Sequence, residues 1–506
     1  MIALLLFGSF FLFLGLGIPV AFALGLSAVV TLVTTDGFQV LDVVPSVMFP
    51  SMSSGTLLAI PFFILAGIVM QYTGISQRLV DLAFLIFGRL RHGLAAVTII
   101  SAFFFSAISG SGPATVAAIG AILIPALVRH GYQKKHAVSL VAASGSMGIV
   151  VPPSIAFIIF AVVVAEFGKI SISRLFIAGI VPGIIMALAF FIAALFVPRV
   201  RELAGLPVRA TTGAEAGAGS TSTAAGSDSA GNGGSGASVA GDSAAAGKTQ
   251  LLTTNGKAAS ASSGSTGSGV GTVDPTVTDH HDGGFGEFMS ALVKAIPGLL
   301  IPVIILGGIY GGIFTPTEAG AVASVYALVV GVFVYRELSW KDMPKVFLES
   351  GVSTAVIMFI VGVASLFSYV ITVEGVADRI STAVLGVTDN KYLILAAITI
   401  ILLIVGAFVD AISAFYLFVP ILVPILIGVG VDMTTIGVFM TVNLAIGLFT
   451  PPVGLNLYVG AGIGKIRLEE VARGIMPFLI CAIIALLLIT YIPAISNWLP
   501  DLLGVG

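Results

Sequence analysis

The sequence predicts an all-α polytopic membrane protein of two inverted-topology repeats, each with a re-entrant helical hairpin and a broken helix. Three observations lead there: the composition, a set of motifs that recurs about 300 residues further on, and the placement of basic residues. Of the 506 residues, 58% are hydrophobic and 9% charged. A soluble domain carries roughly a quarter charged residues, so water is not the main solvent of this chain. The apolar runs 1–33, 178–197 and 478–492 approach the roughly 20 residues that span hydrocarbon. Gly (61) and Pro (23) recur inside these apolar segments. Both interrupt helices, and backbone groups freed in lipid need partners, so the breaks belong around a cavity. That favours a protein with a solute pathway over a simple anchor. A net charge of −2 without a basic block gives nucleic acid no footing. Cys481 stands alone, which excludes disulfide scaffolds and cysteine-metal sites. Ala21-Phe22-Ala23 resembles a cleavage site but lies inside a longer apolar run, and the first basic residue is Arg78. The N-terminus therefore reads as a retained membrane segment.

The stretch 206–286 is Ala, Gly, Ser and Thr with almost no large apolar residue. It buries too little to offset its ordering entropy and is expected to be a flexible linker between repeat 1 (1–205) and repeat 2 (287–506). As a coil it would extend roughly 50 Å and barely constrain the halves. Gly74-Ile75-Ser76-Gln77-Arg78-Leu79 aligns with Gly375-Val376-Ala377-Asp378-Arg379-Ile380, and Gly148-Ile149-Val150-Val151-Pro152-Pro153 with Gly447-Leu448-Phe449-Thr450-Pro451-Pro452. Lys169-Ile170 matches Lys465-Ile466, and Pro182 matches Pro477. Four matches in one order, at offsets of 301, 299, 296 and 295, mark a duplicated unit.

Basic residues favour the cytoplasmic side. The segment 95–127 is flanked by Arg89, Arg91 and His92 before it and Arg129, Lys134 and Lys135 after it, so both ends lie inside. Its arms, 95–108 and 114–127, would each reach about 21 Å against a core of roughly 30 Å. With Gly110-Ser111-Gly112-Pro113 between them, this is a hairpin entering from the cytoplasm. Its counterpart, 393–428, has only Lys391 beside it and is expected to enter from the periplasm. In order, the first half holds two helices in 2–34, one at 56–72, an interfacial helix at 77–90, the hairpin, a broken helix at 137–164 and a return at 175–197. The second half holds two helices in 296–335, one at 353–372, its hairpin, a broken helix at 435–463 and an exit at 474–493. Both termini then lie outside. Of the 22 Lys and Arg, only Lys169, Arg174, Arg379 and Lys391 fall on the periplasmic side.

No phosphate-binding Gly-Lys-Ser/Thr loop, metal-spaced His cluster or nucleophile elbow occurs, which argues against an enzyme and an ATP-driven pump. The candidate binding region is two pairs of elements: tip 109–115 with break 145–154, and tip 409–413 with break 443–454. Helix ends at a tip present free carbonyls or N–H groups; carbonyls and hydroxyls suit Na⁺, and N–H groups suit a carboxylate. Pro-Pro stops a helix and leaves carbonyls without intrahelical partners. The residues singled out are Ser109, Gly110, Ser111, Gly112, Gly145, Gly148, Pro152, Asp410, Ser413, Asn443, Gly447, Thr450 and Pro451. Ser109, Ser111, Asp410 and Thr450 are the suspected Na⁺ ligands. Competing structural readings exist: Ser and Gly satisfy tight turns, Asp410 can cap the following arm, and Asn443 can bond between helices. One carboxylate among hydroxyls and carbonyls favours Na⁺ over H⁺, since a proton carrier needs a titratable group. Thr315-Pro316-Thr317-Glu318 reads as a capping box, so Glu318 is structural. Glu166 and Lys169 fall at a membrane boundary; His92, His130 and His136 sit in cytoplasmic loops, and His280 and His281 in the linker.

Tip 109–115, Pro152-Pro153-Ser154, the run 175–183, Thr315-Pro316-Thr317-Glu318-Ala319 and Thr450-Pro451-Pro452-Val453-Gly454 follow one another in an order that covers both halves. Together they resemble the large membrane subunit of tripartite ATP-independent periplasmic (TRAP) transporters, the DctM type. The resemblance implies an inner-membrane, elevator-type importer of small organic anions, of C4-dicarboxylate or sugar-acid (sialic-acid) type, with Na⁺ as coupling ion and no other cofactor. It also implies a periplasmic solute-binding protein and a small four-helix membrane subunit, the latter expected as a separate chain. The family's ion and substrate region falls on 109–114, 145–152, 410–413 and 443–451. The linker is longer than the family's usual connection. A one-component anion transporter of the same architecture and a non-transporting membrane scaffold are the alternatives.

Overall fold

In the computed structural model, residues 2–88, 90, 92–197 and 285–505 are described. Residues 206–284 of the linker lie outside them, as do Arg89, Arg91, Arg199, Arg201, His280 and His281. Among the described residues the regular secondary structure is helical, with no strand. The first half runs α1 (Ile2–Gly15), α2 (Val20–Asp36), α3 (Val43–Met52), α4 (Ala59–Tyr72), α5 (Ile75–Phe87), α6 (Gly93–Ser109), α7 (Gly112–Arg129), α8 (Lys134–Gly145), α9 (Ile155–Val163) and α10 (Ile172–Leu195). The second runs α11 (Phe285–Tyr310), α12 (Pro316–Val329), α13 (Met343–Val373), α14 (Val376–Val387), α15 (Lys391–Gly406), α16 (Ala411–Gly428), α17 (Met433–Gly447), α18 (Leu455–Gly464), α19 (Leu468–Gly474), α20 (Met476–Tyr491) and α21 (Ala494–Leu502). Among the described residues six helices are long and apolar enough to cross a membrane, or up to eight if each bent pair counts as one.

The two broken helices run in opposite directions. At the far end of α9, Gly168 lies against Met433 at the start of α17. At the far end of α18, Gly464 lies against Val138 in α8, and Gly474 lies against Lys135 and Ser139. Each broken helix therefore starts beside its own hairpin's base and finishes beside the other's, which is the inverted relation. The amphipathic helices α5 and α14 both begin after a left-handed glycine, Gly74 (φ 61°) and Gly375 (φ 58°), at the matching positions. Helix α4 turns by 69° into α5. Long helices from both halves pack together: α4 against α12, and α13 against α2, α3 and α4.

Several boundaries differ from expectation. The hairpin arms extend to 17 and 18 residues in the first half and 16 and 18 in the second. Apolar limits undercount a helix: α7 continues through Arg129, a cation favourable at a C-terminus, until Gly131 turns at φ 91°. At about 27 Å an 18-residue arm nearly reaches across the core, so length alone does not identify a re-entrant hairpin. Helix α13 begins ten residues before the expected span, because Lys345 and Glu349 lower hydropathy without interrupting the helix. Helix α3 was not expected; Pro45 falls in its first turn, where no intrahelical N–H is lost. Helices α19 and α21 are also additions, and His136 lies in the first turn of α8 rather than in a loop.

Candidate functional site

Both hairpins end on short connections between helices that cannot continue. In tip 1, Gly110 closes α6 with φ 59°, a left-handed geometry that admits glycine without strain. Pro113 then enters at the start of α7, where its missing N–H costs nothing. Ser109 Oγ pairs with Thr115 Oγ1 at 2.8 Å, and Thr115 Oγ1 donates to Ser111 O at 2.9 Å. A small ring of hydroxyls and a carbonyl thus rims tip 1, with Ser111 half-buried.

Tip 1 meets both breaks. A Cβ placed at Gly110 would lie 3.1 Å from Pro153 O, in break 1. One at Gly112 would lie 3.0 Å from Leu448 Cδ1 and 3.1 Å from Asn456 Oδ1, in break 2 and the helix after it. Gly148 faces Ser111 so closely that a Cβ would come within 2.5 Å of Ser111 O, and Gly145 sits against Val116 and Gly112 O. The Pro152–Pro153 and Pro451–Pro452 bonds are cis. Ser154 Oγ donates to Ile149 O at 2.6 Å across the first break.

Tip 2 is built on Asp410. Its Oδ2 accepts from the N–H groups of Ile412 (3.0 Å) and Ser413 (3.1 Å), while Oδ1 accepts from Ser413 Oγ at 2.7 Å. The carboxylate is the N-cap of α16, and it remains half-buried at the tip. Break 2 packs on this tip: a Cβ at Gly447 would meet Gly406 Cα at 2.5 Å, and Gly454 N donates to Ala407 O. Thr450 Oγ1 donates to Ile446 O at 2.7 Å, so its remaining capacity is to accept. Thr450 and Pro451 are half-buried, and Pro452 and Val453 exposed, whereas break 1 from Val150 to Ser154 is buried throughout.

Three buried side-chain oxygens in this region lack a hydrogen-bond partner: Ser144 Oγ, Asn443 Oδ1 and Asn456 Oδ1. Asn443 Nδ2 donates to Thr399 O in α15 (3.3 Å), and Asn456 Nδ2 to Ala142 O in α8 (3.1 Å). Ser144 and Asn443 stand at matching positions of the repeat, 299 residues apart. Buried oxygens of this kind are unfavourable unless an ion, water or ligand meets them. The structure therefore brings tip 1 against both breaks, and break 2 against the Gly406-Ala407 side of tip 2; among the described residues no such contact joins Asp410 or Ser413 to tip 1. Asn456, Ser144 and the Gly406-Ala407 side of tip 2 were missed. The signal for Asn456 was present: a lone amide in the apolar run Leu455-Asn456-Leu457, directly after the break. Among the described residues no group of three or more His, Cys, Asp or Glu could hold a metal ion.

A family profile described as the DctM component of the tripartite ATP-independent periplasmic transporter matches residues 7–495. The chain belongs to this family. The isethionate TRAP transporter permease protein DctMQ of Oleidesulfovibrio alaskensis is 37% identical over 97% of this chain and 65% of its own length. The C4-dicarboxylate TRAP transporter large permease protein DctM of Pseudomonas aeruginosa is 34% identical over 96% of this chain and 95% of its own. A solved structure, the YdaH transporter of Alcanivorax borkumensis, superposes with a TM-score of 0.54 at 14% identity, covering 94% of this chain and 90% of that one. That likeness concerns the fold alone. As a member of the DctM family the chain is a membrane permease component, consistent with its apolar helices.

Proposed function

We propose that this chain is the large membrane subunit of a secondary, Na⁺-coupled, binding-protein-dependent importer of small organic anions. Family membership supports the permease role. The ion and substrate site is supported chiefly by the junction at which break 2 packs on both tips. Backbone carbonyls, hydroxyls whose protons are already donated and unpartnered amide oxygens converge there; these are hard-cation ligands. The helix N-terminus at Gly112 offers backbone N–H groups that suit a carboxylate or sulfonate, whereas at Ala411 the N–H groups of Ile412 and Ser413 are already taken by Asp410. Relatives named for isethionate and C4-dicarboxylates make a small acid the natural cargo class. In this reading the site residues are Ser109, Gly110, Ser111, Gly112, Gly145, Gly148, Pro152, Asp410, Ser413, Asn443, Gly447, Thr450 and Pro451, joined by Asn456. Hairpin 1 enters from the cytoplasm and hairpin 2 from the periplasm. The partners are a small membrane subunit and a periplasmic solute-binding protein.

The test is radiolabelled uptake of a panel of dicarboxylates, sulfonates and sugar acids into proteoliposomes. These hold the chain with its small subunit, with and without the binding protein, under an inward Na⁺ gradient. Uptake that needs both Na⁺ and the binding protein is expected. Uptake that ignores the binding protein points to a one-component transporter, and no uptake of any member overturns the importer reading.

A further inference from the structure

A second space, with hydroxyls set in a partly apolar wall, lies away from the junction. Where α3, α9, α13 and α16 meet, a cavity of about 380 Å³ is lined by valines and by Ser51, Ser365, Ser368, Thr372 and Tyr416, with exposed Glu166 contributing the only carboxylate among the described residues that line it. Among the described residues no lysine, arginine or histidine lines it. Lys169, three residues beyond Glu166, is not among the lining residues.

The hydroxyls in this wall are biased toward accepting. Ser51 Oγ donates to Val47 O at 2.8 Å, Ser365 Oγ to Val361 O at 2.8 Å and Thr372 Oγ1 to Ser368 O at 3.0 Å. A hydroxyl has one proton, so these three turn lone pairs to whatever enters. Lone pairs and a carboxylate, with no basic group, attract a cation and disfavour an organic anion. A second observation concerns the same wall: Tyr416 is 4% exposed, its buried hydroxyl makes no hydrogen bond of ordinary geometry, and its polar neighbour is Ser365, whose own proton is given to Val361 O. Such a group is unfavourable unless something in the cavity meets it.

The location is equally specific. Tyr416 lies five residues after Ala411, about 7.5 Å along α16 from the tip that Asp410 caps. Glu166 follows α9 at the end that meets the base of hairpin 2, where Gly168 contacts Met433. The cavity thus occupies the stretch between the hairpin's base and its tip.

We propose that this cavity is an outer cation site, which receives Na⁺ with part of its water and holds it beside the second hairpin before it reaches the tip. The inference rests on the Na⁺-coupled reading above, and the test separates the two. The purified chain is melted in detergent across a Na⁺ series, with choline replacing Na⁺ at constant ionic strength. Saturable stabilisation by Na⁺ is expected for the unaltered chain. In Glu166→Gln and in Thr372→Val the Na⁺ concentration giving half the effect should rise about fivefold, as loss of a nearby charge or ligand oxygen predicts. Unaltered midpoints in both variants, alongside a normal response in the parent chain, overturn the outer site and leave Na⁺ coupling intact. No Na⁺ response in the parent chain overturns both. Should Thr372→Val fail to fold, Glu166→Gln, at an exposed position, decides the matter alone.

Discussion

At the residue scale, Asp410 has two separable jobs. As a cap it offers oxygens to two backbone N–H groups, and asparagine preserves that geometry while removing the charge. Asp410→Ala should cost about 0.5–2 kcal/mol in stability through the lost cap. Asp410→Asn should keep the melting temperature near that of the parent but weaken or abolish the Na⁺ dependence of uptake. Full uptake with an unchanged Na⁺ midpoint in Asp410→Asn would remove the carboxylate from the ion site. Gly447 makes a different case, because its contact with Gly406 is backbone on backbone. Gly447→Ala should destabilise the protein by about 1–3 kcal/mol, since neither neighbour can rotate away, and should depress uptake. A thermal melt matching the parent would show that this approach is looser than the geometry implies. These residues were legible in the sequence to different degrees. Asp410 and the Pro-Pro pairs stand out as polar or helix-breaking residues in apolar runs. Gly406 does not, because nothing local says which glycine faces another backbone.

At the element scale, the expected helices were present because hydropathy and breaks locate apolar cores well, while ends were displaced wherever a polar residue extended a helix. Thr315 shows local chemistry at its most readable. Its N–H donates to Glu318 Oε2 at 2.8 Å and its hydroxyl accepts from Glu318 N, the capping box read from four residues. The C-terminal α21 shows the reverse. Arg174, from the first half, donates to Thr434 Oγ1, Asn497 Oδ1, Asp501 Oδ1 and Val505 O, while Asn497 Nδ2 donates to Asp432 Oδ1. One guanidinium thus ties α21 to the starts of α10 and α17. Its five donors in a fixed fork suit this better than a lysine would. Arg174→Ala should release α21, seen as protease cleavage within 494–505 at lower protease concentration, and Arg174→Lys should restore protection only in part. Equal protection in all three chains would assign the tie to Asn497 and Asp432 instead.

At the scale of the whole molecule, the opposed broken helices give each face one hairpin base and the far end of the other half's broken helix. The proposed orientation then makes a sharp prediction in a Cys481→Ser background. Single cysteines at Lys169 and Lys391 should react with a membrane-impermeant maleimide from the periplasm. Cysteines at Lys134 and Lys465 should react only after the cells are opened. Labelling of all four from one side would rule out the inverted arrangement. The two breaks also differ in accessibility: break 1 is buried, while break 2 exposes Pro452 and Val453. A duplicated sequence has thus been packed asymmetrically, with one break buried and the other partly open.

The sequence by itself determined the solvent, the duplication, the two tips and the two breaks. Those depend on local properties: apolar length, helix-breaking residues, caps and motifs at a constant offset. Only the tertiary structure decided that break 2 touches both tips and that Asn456 crosses from one half to the other. It alone showed that the serines and threonines of α3 and α13 face a common cavity with Tyr416. These facts depend on which surfaces meet among residues up to several hundred positions apart. A helix records its own apolar face in its sequence, but not the partner that covers it.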